Sequence, residues 1–161
     1  MRQRFSTRAI AEVGVGVALA VVLSYIKVWT APQGGSVTAG SMIPIMFLAL
    51  RWGAEVGVSA GLVYGLIQFA QEPVFVHPVQ FILDYPLAFG LLGLAGAFRR
   101  SAAVGAAVGI VGRFLSHVIS GVVFFASYAG NQNVWVYSIL YNGTYLLPEL
   151  VISSLVMVLL Y

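Results

Sequence analysis

The chain has 161 residues, 60% of them hydrophobic and only 8% charged, with a mean hydropathy of +0.96 and a formal net charge of +3. Soluble domains carry about 25% charged residues, so the composition excludes a soluble globular protein and describes an all-α integral membrane protein, one membrane domain over residues 1–161. The lack of cysteine excludes disulfides, thiolate metal sites and cysteine nucleophiles.

Six apolar segments can be drawn, over residues 8–27, 39–50, 54–71, 80–98, 101–128 and 134–160. A crossing helix needs about 20 apolar residues, so the second segment is short and the last two are long enough to tilt or protrude. With the N-terminus inside, Arg2, Arg4, Arg8, Arg51, Arg99 and Arg100 fall on the cytoplasmic side and only Lys27 falls outside. That asymmetry predicts six transmembrane helices in a compact bundle with both termini cytoplasmic, and it accounts for the positive charge without nucleic-acid binding. The first apolar segment is long and five more follow, so a cleaved signal peptide is not expected.

Segment one carries Ala11, Gly14 and Ala18, with Gly16 and Ala20 beside them. A small-residue face suits close packing against another membrane protein, packing within this bundle, or lipid contact, and the pattern by itself leaves all three open. The loop over 28–38, VWTAPQGGSVT, contains Pro32 and Gly34-Gly35 and is expected to bend tightly rather than form helix. Trp29 in this loop reads either as part of a lid over an outer mouth or as an interfacial tryptophan; Trp52 and Trp135 stand at segment boundaries and read as interfacial. Gly57, Gly61 and Gly65, at every fourth position, form a helix-packing face.

The polar residues of the later segments carry the functional signal. Asp84, in LDYPLAF, reads either as a carboxylate facing a cationic or amine-bearing ligand, or as the N-cap of a helix starting near Tyr85 with Pro86 in its first turn. Further on, Arg113, His117, Gly121 and Phe124/Phe125 recur on one helical stripe, as do Asn142, Tyr145 and Glu149, preceded by Tyr137, Ser138 and Tyr141. Polar groups are costly in hydrocarbon and face a bundle interior or a cavity. At about 1.5 Å per residue, Asp84 lies one turn, Asn142 roughly 12 Å and His117 roughly 16 Å below the outer ends of their segments. The cluster therefore opens outward, beneath the loops 28–38 and 72–79.

His117 reads as a hydrogen-bonded packing residue or as part of a slot for a flat ring. Gly121 leaves room beside it, and Phe124, Phe125 and Tyr128 supply aromatic walls. Asn142 and Tyr137 offer the donors and acceptors that orient a heteroaromatic ring. His77 is the only other histidine, so a metal site is not expected. Arg113 and Glu149 each lie roughly 22 Å from the outer surface at the helical rise, which predicts an ion pair flooring the pocket, with Pro148 kinking the last helix to turn the carboxylate inward.

Four segments, PQGGSVTAGSMIPI (32–45), HPVQFILDYPLAF (77–89), RFLSHVISGVVFF (113–125) and YSILYNGTYL (137–146), occur in an order that resembles the thiamine-specific substrate-capture (S) components of the energy-coupling-factor vitamin transporters. Together they spread over most of the chain. The resemblance implies a six-helix bundle in a bacterial cell membrane that binds thiamine near the outer face, below a closing first loop. It further implies a membrane coupling protein and two cytoplasmic ATPases as partners, with no cofactor and no catalysis by this chain. By motif, Asp84 and Tyr85 would contact the polar ends of the vitamin, His117, Gly121 and Phe125 would form a stacking wall, and Tyr137 and Asn142 would hold ring nitrogens or the amino group, with Trp29 in the closing loop. Some relatives have glutamate where Asp84 stands and tryptophan where Phe125 stands. The ligand suits such a pocket: a thiazolium is a permanent cation, which aromatic faces attract and a buried carboxylate balances. The chain has no P-loop motif, so ATP dependence would come from partners.

Two other readings compete. A self-sufficient proton-coupled carrier would use Asp84, His117, Arg113 and Glu149 as a relay, but the glycine spacing of segment three has no counterpart in a second half, as inverted repeats would require. An intramembrane enzyme would need a nucleophile–base pair or a metal triad, and the sequence displays neither.

Overall fold

Helix α1 (Thr7–Ser24) starts where the Ser6 hydroxyl accepts the Ala9 N–H, satisfying one of the donors that a helix start leaves free. The computed structural model describes residues 5–161, so Arg2 and Arg4 of the basic end lie outside the described residues. After α1 the chain makes a hairpin of two antiparallel strands, β1 (Lys27–Thr30) and β2 (Ser36–Thr38), with Lys27 opposite Thr38 and Thr30 opposite Ser36. Five further helical segments follow: α2 (Ile43–Trp52), α3 (Ala54–Gln71), α4 (Pro78–Ala97), α5 (Ala102–Phe124) and α6 (Val134–Leu160). Ser101 and Asn133 cap α5 and α6 with their side-chain oxygens.

The all-helical expectation holds apart from the hairpin. Four of the helices, α1, α4, α5 and α6, are long and apolar enough to cross a membrane. Segment five, expected to run to residue 128, ends as an α-helix at Phe124 and continues as a 3-10 turn over Ala126–Ala129.

Short α2 sits at the centre. Ile45, Met46, Ala49 and Leu50 have no exposed surface, and they pack with Tyr64 of α3, Leu92 of α4, Ile110 of α5 and Leu146 of α6. A helix apolar on nearly every face belongs in such a position. Tyr64 and Phe89 meet edge to face at 4.9 Å, a geometry worth about 0.5–1.5 kcal/mol beyond the area buried. The glycine face of α3 presses on α4: a Cβ on Gly61 would lie 2.2 Å from the Phe89 carbonyl oxygen, and one on Gly65 would lie 2.5 Å from that of Tyr85. Backbones therefore touch at this crossing.

Arg8, Arg51 and Arg99 gather at one end of the bundle. Glu12 accepts hydrogen bonds from Arg8 Nε at 3.0 Å, Arg51 Nε at 2.6 Å and Trp52 Nε1 at 2.8 Å. Arg99 donates to the Leu50 and Arg51 carbonyls, closing the C-terminal end of α2. On α1, Gly16 and Ala20 face inward, with Gly16 against Leu48, whereas Ala11, Gly14 and Ala18 face out of the bundle.

Candidate functional site

At the end of the bundle opposite those arginines lies a cavity of about 360 Å³, within the range of sites that hold small organic ligands. Seven of the eight residues singled out from the sequence line it: Asp84, Tyr85, His117, Gly121, Phe125, Tyr137 and Asn142. Trp29 does not. It lies on β1, 44% exposed, and the cavity is covered instead by the hairpin tip from Gln33 to Ser36.

The geometry of α4 decides what Asp84 does. Pro86 has no N–H to give, and the helix accommodates it by widening into a π turn over Leu83–Leu87, flanked by α-helical residues and followed by a 3-10 stretch. Asp84 therefore sits inside the helical run rather than at its start. The N-cap is His77, whose Nδ1 accepts the Val79 N–H, with Pro78 in the first turn. That overturns the capping alternative for Asp84.

Its carboxylate instead reaches across to α5. Oδ2 accepts Gln80 Nε2 at 2.7 Å and Ser120 Oγ at 2.8 Å, and Oδ1 lies 3.0 Å from His117 Nδ1. The other imidazole nitrogen, Nε2, lies 3.2 Å from Arg113 Nε. An arginine N–H can only donate, so Nε2 must accept and the ring proton must sit on Nδ1, donating to Asp84. This chain of bonds fixes His117 as the neutral Nδ1–H tautomer. Arg113 is held further by Met42 Sδ at 2.8 Å and by the Phe89 ring, whose centroid lies 4.2 Å from the guanidinium carbon.

Tyr85 is committed elsewhere. Its hydroxyl donates to the Glu72 carbonyl at 2.8 Å and accepts the Val74 N–H at 2.9 Å, while its ring packs on Phe69. It thereby ties the loop after α3 to the cavity rim. Gly121 also differs from expectation. A Cβ there would lie 2.3 Å from Ser138 Oγ, so the space beside His117 is used by α6 coming close to α5 rather than left open. Asn142, next to Ser138, is buried; its Nδ2 donates to the Ser138 carbonyl at 2.9 Å and its Oδ1 accepts the Tyr145 hydroxyl.

The aromatic walls come in pairs. Tyr137 and Tyr141 stack at 5.8 Å, and Phe125 stacks with Tyr128 at 6.2 Å. Phe124, the other aromatic of that stripe, stacks on His77 at 5.2 Å instead. The hairpin tip rests on the α6 tyrosines: the Gln33 N–H donates to the Tyr141 hydroxyl at 3.0 Å, which in turn donates to the Gly34 carbonyl. Gly35, at φ +84°, lies so close to Tyr145 that a Cβ would come within 2.6 Å of its ring. Both the left-handed backbone and the contact require glycine there.

The expected Arg113–Glu149 ion pair is not formed. Arg113 is engaged by His117, Met42 and Phe89, whereas Glu149 Oε1 accepts the Thr38 N–H at 2.6 Å and the Thr38 hydroxyl at 2.7 Å. Equal depth on two neighbouring helices says nothing about which way each side chain turns, and the strand β2 reaches Glu149 first. For the same reason, the four residues of the supposed proton relay do not form one connected set. Sequence reasoning did not single out Gln33, Gln68, Glu72, Phe89 or Tyr141 as cavity residues. Tyr141 alone had a signal, lying on the polar stripe of α6; the others are brought in by the hairpin, by the end of α3 and by the middle of α4.

Residues 10–161 match the thiamine transporter protein family. The chain is 39% identical to the thiamine transporter ThiT of Bacillus subtilis, over 93% of this chain and 88% of that protein. It is 33% identical to ThiT of Lacticaseibacillus paracasei, over 89% of this chain and 81% of that one. A solved structure of ThiT from Listeria monocytogenes superposes with a TM-score of 0.81 at 27% identity, covering 94% of this chain and 92% of the other. The chain therefore belongs to the thiamine transporter protein family, the family to which its four sequence segments pointed.

Proposed function

We propose that this protein is the thiamine-capturing subunit of an energy-coupling-factor importer in a bacterial cell membrane, with six transmembrane helices and both termini cytoplasmic. The observation that carries this reading is a cavity walled by stacked aromatic pairs and closed by a hairpin, at the end of the bundle away from Arg8, Arg51 and Arg99. Arginine-rich ends face the cytoplasm, so the cavity opens outward and takes its solute from outside. Its ionic lining is balanced, Asp84 against Arg113 with His117 neutral and Glu72 paired with Lys27, so the aromatic faces supply the attraction for a cation.

In this reading the thiazolium lies among the tyrosine and phenylalanine faces, near Asp84. Asn142, Tyr137 and His117 orient the aminopyrimidine. Gly121 sets the spacing of α5 and α6, and Tyr85 acts by shaping the rim. Catalysis has no part in this: a membrane coupling protein and two cytoplasmic ATPases supply the energy. The outward face of Ala11, Gly14 and Ala18 supports docking of that partner, since small residues allow close helix approach.

Mass spectrometry of the detergent-purified protein should find thiamine bound, and titration after its removal should give saturable binding at one site. Uptake should also require a coupling ATPase in the same cell. Absence of any thiamine binding would overturn the capture role, and uptake in cells without coupling ATPases would establish an autonomous carrier instead.

A further inference from the structure

Glu149 is a buried acid that the cavity does not use. It is 2% exposed, lies in the middle of α6 and is not part of the cavity lining. A single oxygen, Oε1, takes both the backbone N–H and the hydroxyl of Thr38. The Thr38 hydroxyl has one proton, which this bond uses, so Ser41 Oγ at 2.9 Å and the Ser41 N–H at 3.1 Å both donate to Thr38. Both Thr38 donors thus converge on one oxygen of this carboxyl group, and Ser41, in the turn leading into α2, braces the Thr38 hydroxyl.

Thr38 is the root of the hairpin whose tip covers the cavity. The tip meets Tyr141 through Gly34, and the root meets Glu149 through Thr38. Tyr141 and Glu149 are eight residues apart on a helix, about 12 Å at its rise. Between these two attachments the chain leaves the turn at Gly34 and Gly35, both at positive φ, and runs as β2 to Thr38, so the hairpin is fastened to α6 at its tip and at its root. A third attachment, Lys27 to Glu72, is at the surface. An exposed ion pair shifts an equilibrium by about fivefold at most, whereas a hydrogen bond to a charged acceptor shifts it by roughly ten- to a hundredfold. The buried root is therefore the attachment that persists when the outer ones release.

We propose that Glu149 is the positioning residue of the lid: it anchors the Thr38 root so that the hairpin tip opens and closes over the cavity about a fixed point, and it thereby sets how long the bound solute stays. This rests on the thiamine-binding reading given above.

The test uses the full chain in detergent or lipid nanodiscs, with labelled thiamine chased by excess unlabelled vitamin. Glu149→Ala should accelerate dissociation by about tenfold or more, with association changed far less. Glu149→Gln keeps an amide oxygen able to accept both Thr38 donors but loses the charge, so it should slow release again in part. Thr38→Val should accelerate release by itself and add little in the Glu149→Ala background. Unchanged release in Glu149→Ala, no rescue by Glu149→Gln, or additive effects of the two sites would each overturn the anchor. Should Glu149→Ala fail to fold, Thr38→Val decides by itself, and unchanged release then overturns the proposal. A wild-type chain that bound no thiamine would overturn the functional reading instead. Hydrogen–deuterium exchange would then judge the anchor separately: faster exchange of the Thr38 amide in Glu149→Ala than in Glu149→Gln is expected, and equal exchange in both overturns it.

Discussion

Asp84→Asn is the substitution that probes the site most directly. The carboxylate accepts three hydrogen bonds, from Gln80, Ser120 and His117, whereas an asparagine side chain accepts at one atom and donates at the other. If its NH₂ faces His117, two donors oppose each other. The imidazole can relieve this only by moving its proton to Nε2, where it meets the Arg113 N–H. If the NH₂ faces Gln80 instead, that amide must turn over and give up its bonds to the Val76 N–H and the Val74 carbonyl. Neither arrangement keeps the network whole. Losing one bond to a charged group costs about 1.5–3 kcal/mol, and the negative charge facing a cationic ligand goes with it. Thiamine binding should weaken at least tenfold, by about 1.4 kcal/mol or more, while the apolar packing that holds the fold is untouched. Calorimetric titration of the purified variant, with thermal unfolding as control, reads both. Unchanged affinity would refute the argument that Asp84 organises the cavity.

Gly14→Leu or Ala18→Leu should impair transport with thiamine affinity intact, because Gly14 has open space around it and bulk there meets only an approaching partner; uptake in cells compared with titration of purified protein checks this, and equal loss of binding would place the face inside the bundle. Gly121→Ala should destabilise the protein by about 1–3 kcal/mol and weaken binding, since its methyl would enter the space of Ser138 Oγ. Adding Ser138→Ala should recover part of both, as measured by thermal unfolding and titration. Tyr141→Phe removes the hydroxyl that meets Gln33 and Gly34, so thiamine release should quicken severalfold with stability unchanged, read in the same chase format.

Much of this protein was legible in the chain itself. Hydrophobic runs dictate helices because backbone polar groups have no other partner in hydrocarbon, and most of the arginines fall at one end because desolvating them inside is costly. The same cost makes Asp84, His117 and Asn142 conspicuous, and it is why polar residues on two helical stripes predicted one cavity. The positions at which segments stop were less legible. Pro86 suggested a helix start near Asp84, but the missing N–H can equally be absorbed by a π turn, and only the glycine face of α3 pressing on the Tyr85 and Phe89 carbonyls determines where that turn lies. Tertiary structure also decided the partners. Helical periodicity gives the angle of a side chain around its axis but not which neighbour arrives there, so Arg113 went to His117 and Glu149 to Thr38. The lid was the least readable part. Its glycines announced a turn, but the pairing of β1 with β2, the seating of Gly35 on Tyr145 and the exclusion of Trp29 depend on a strand lying along a helix more than a hundred residues away, and no local pattern in the sequence encodes that contact.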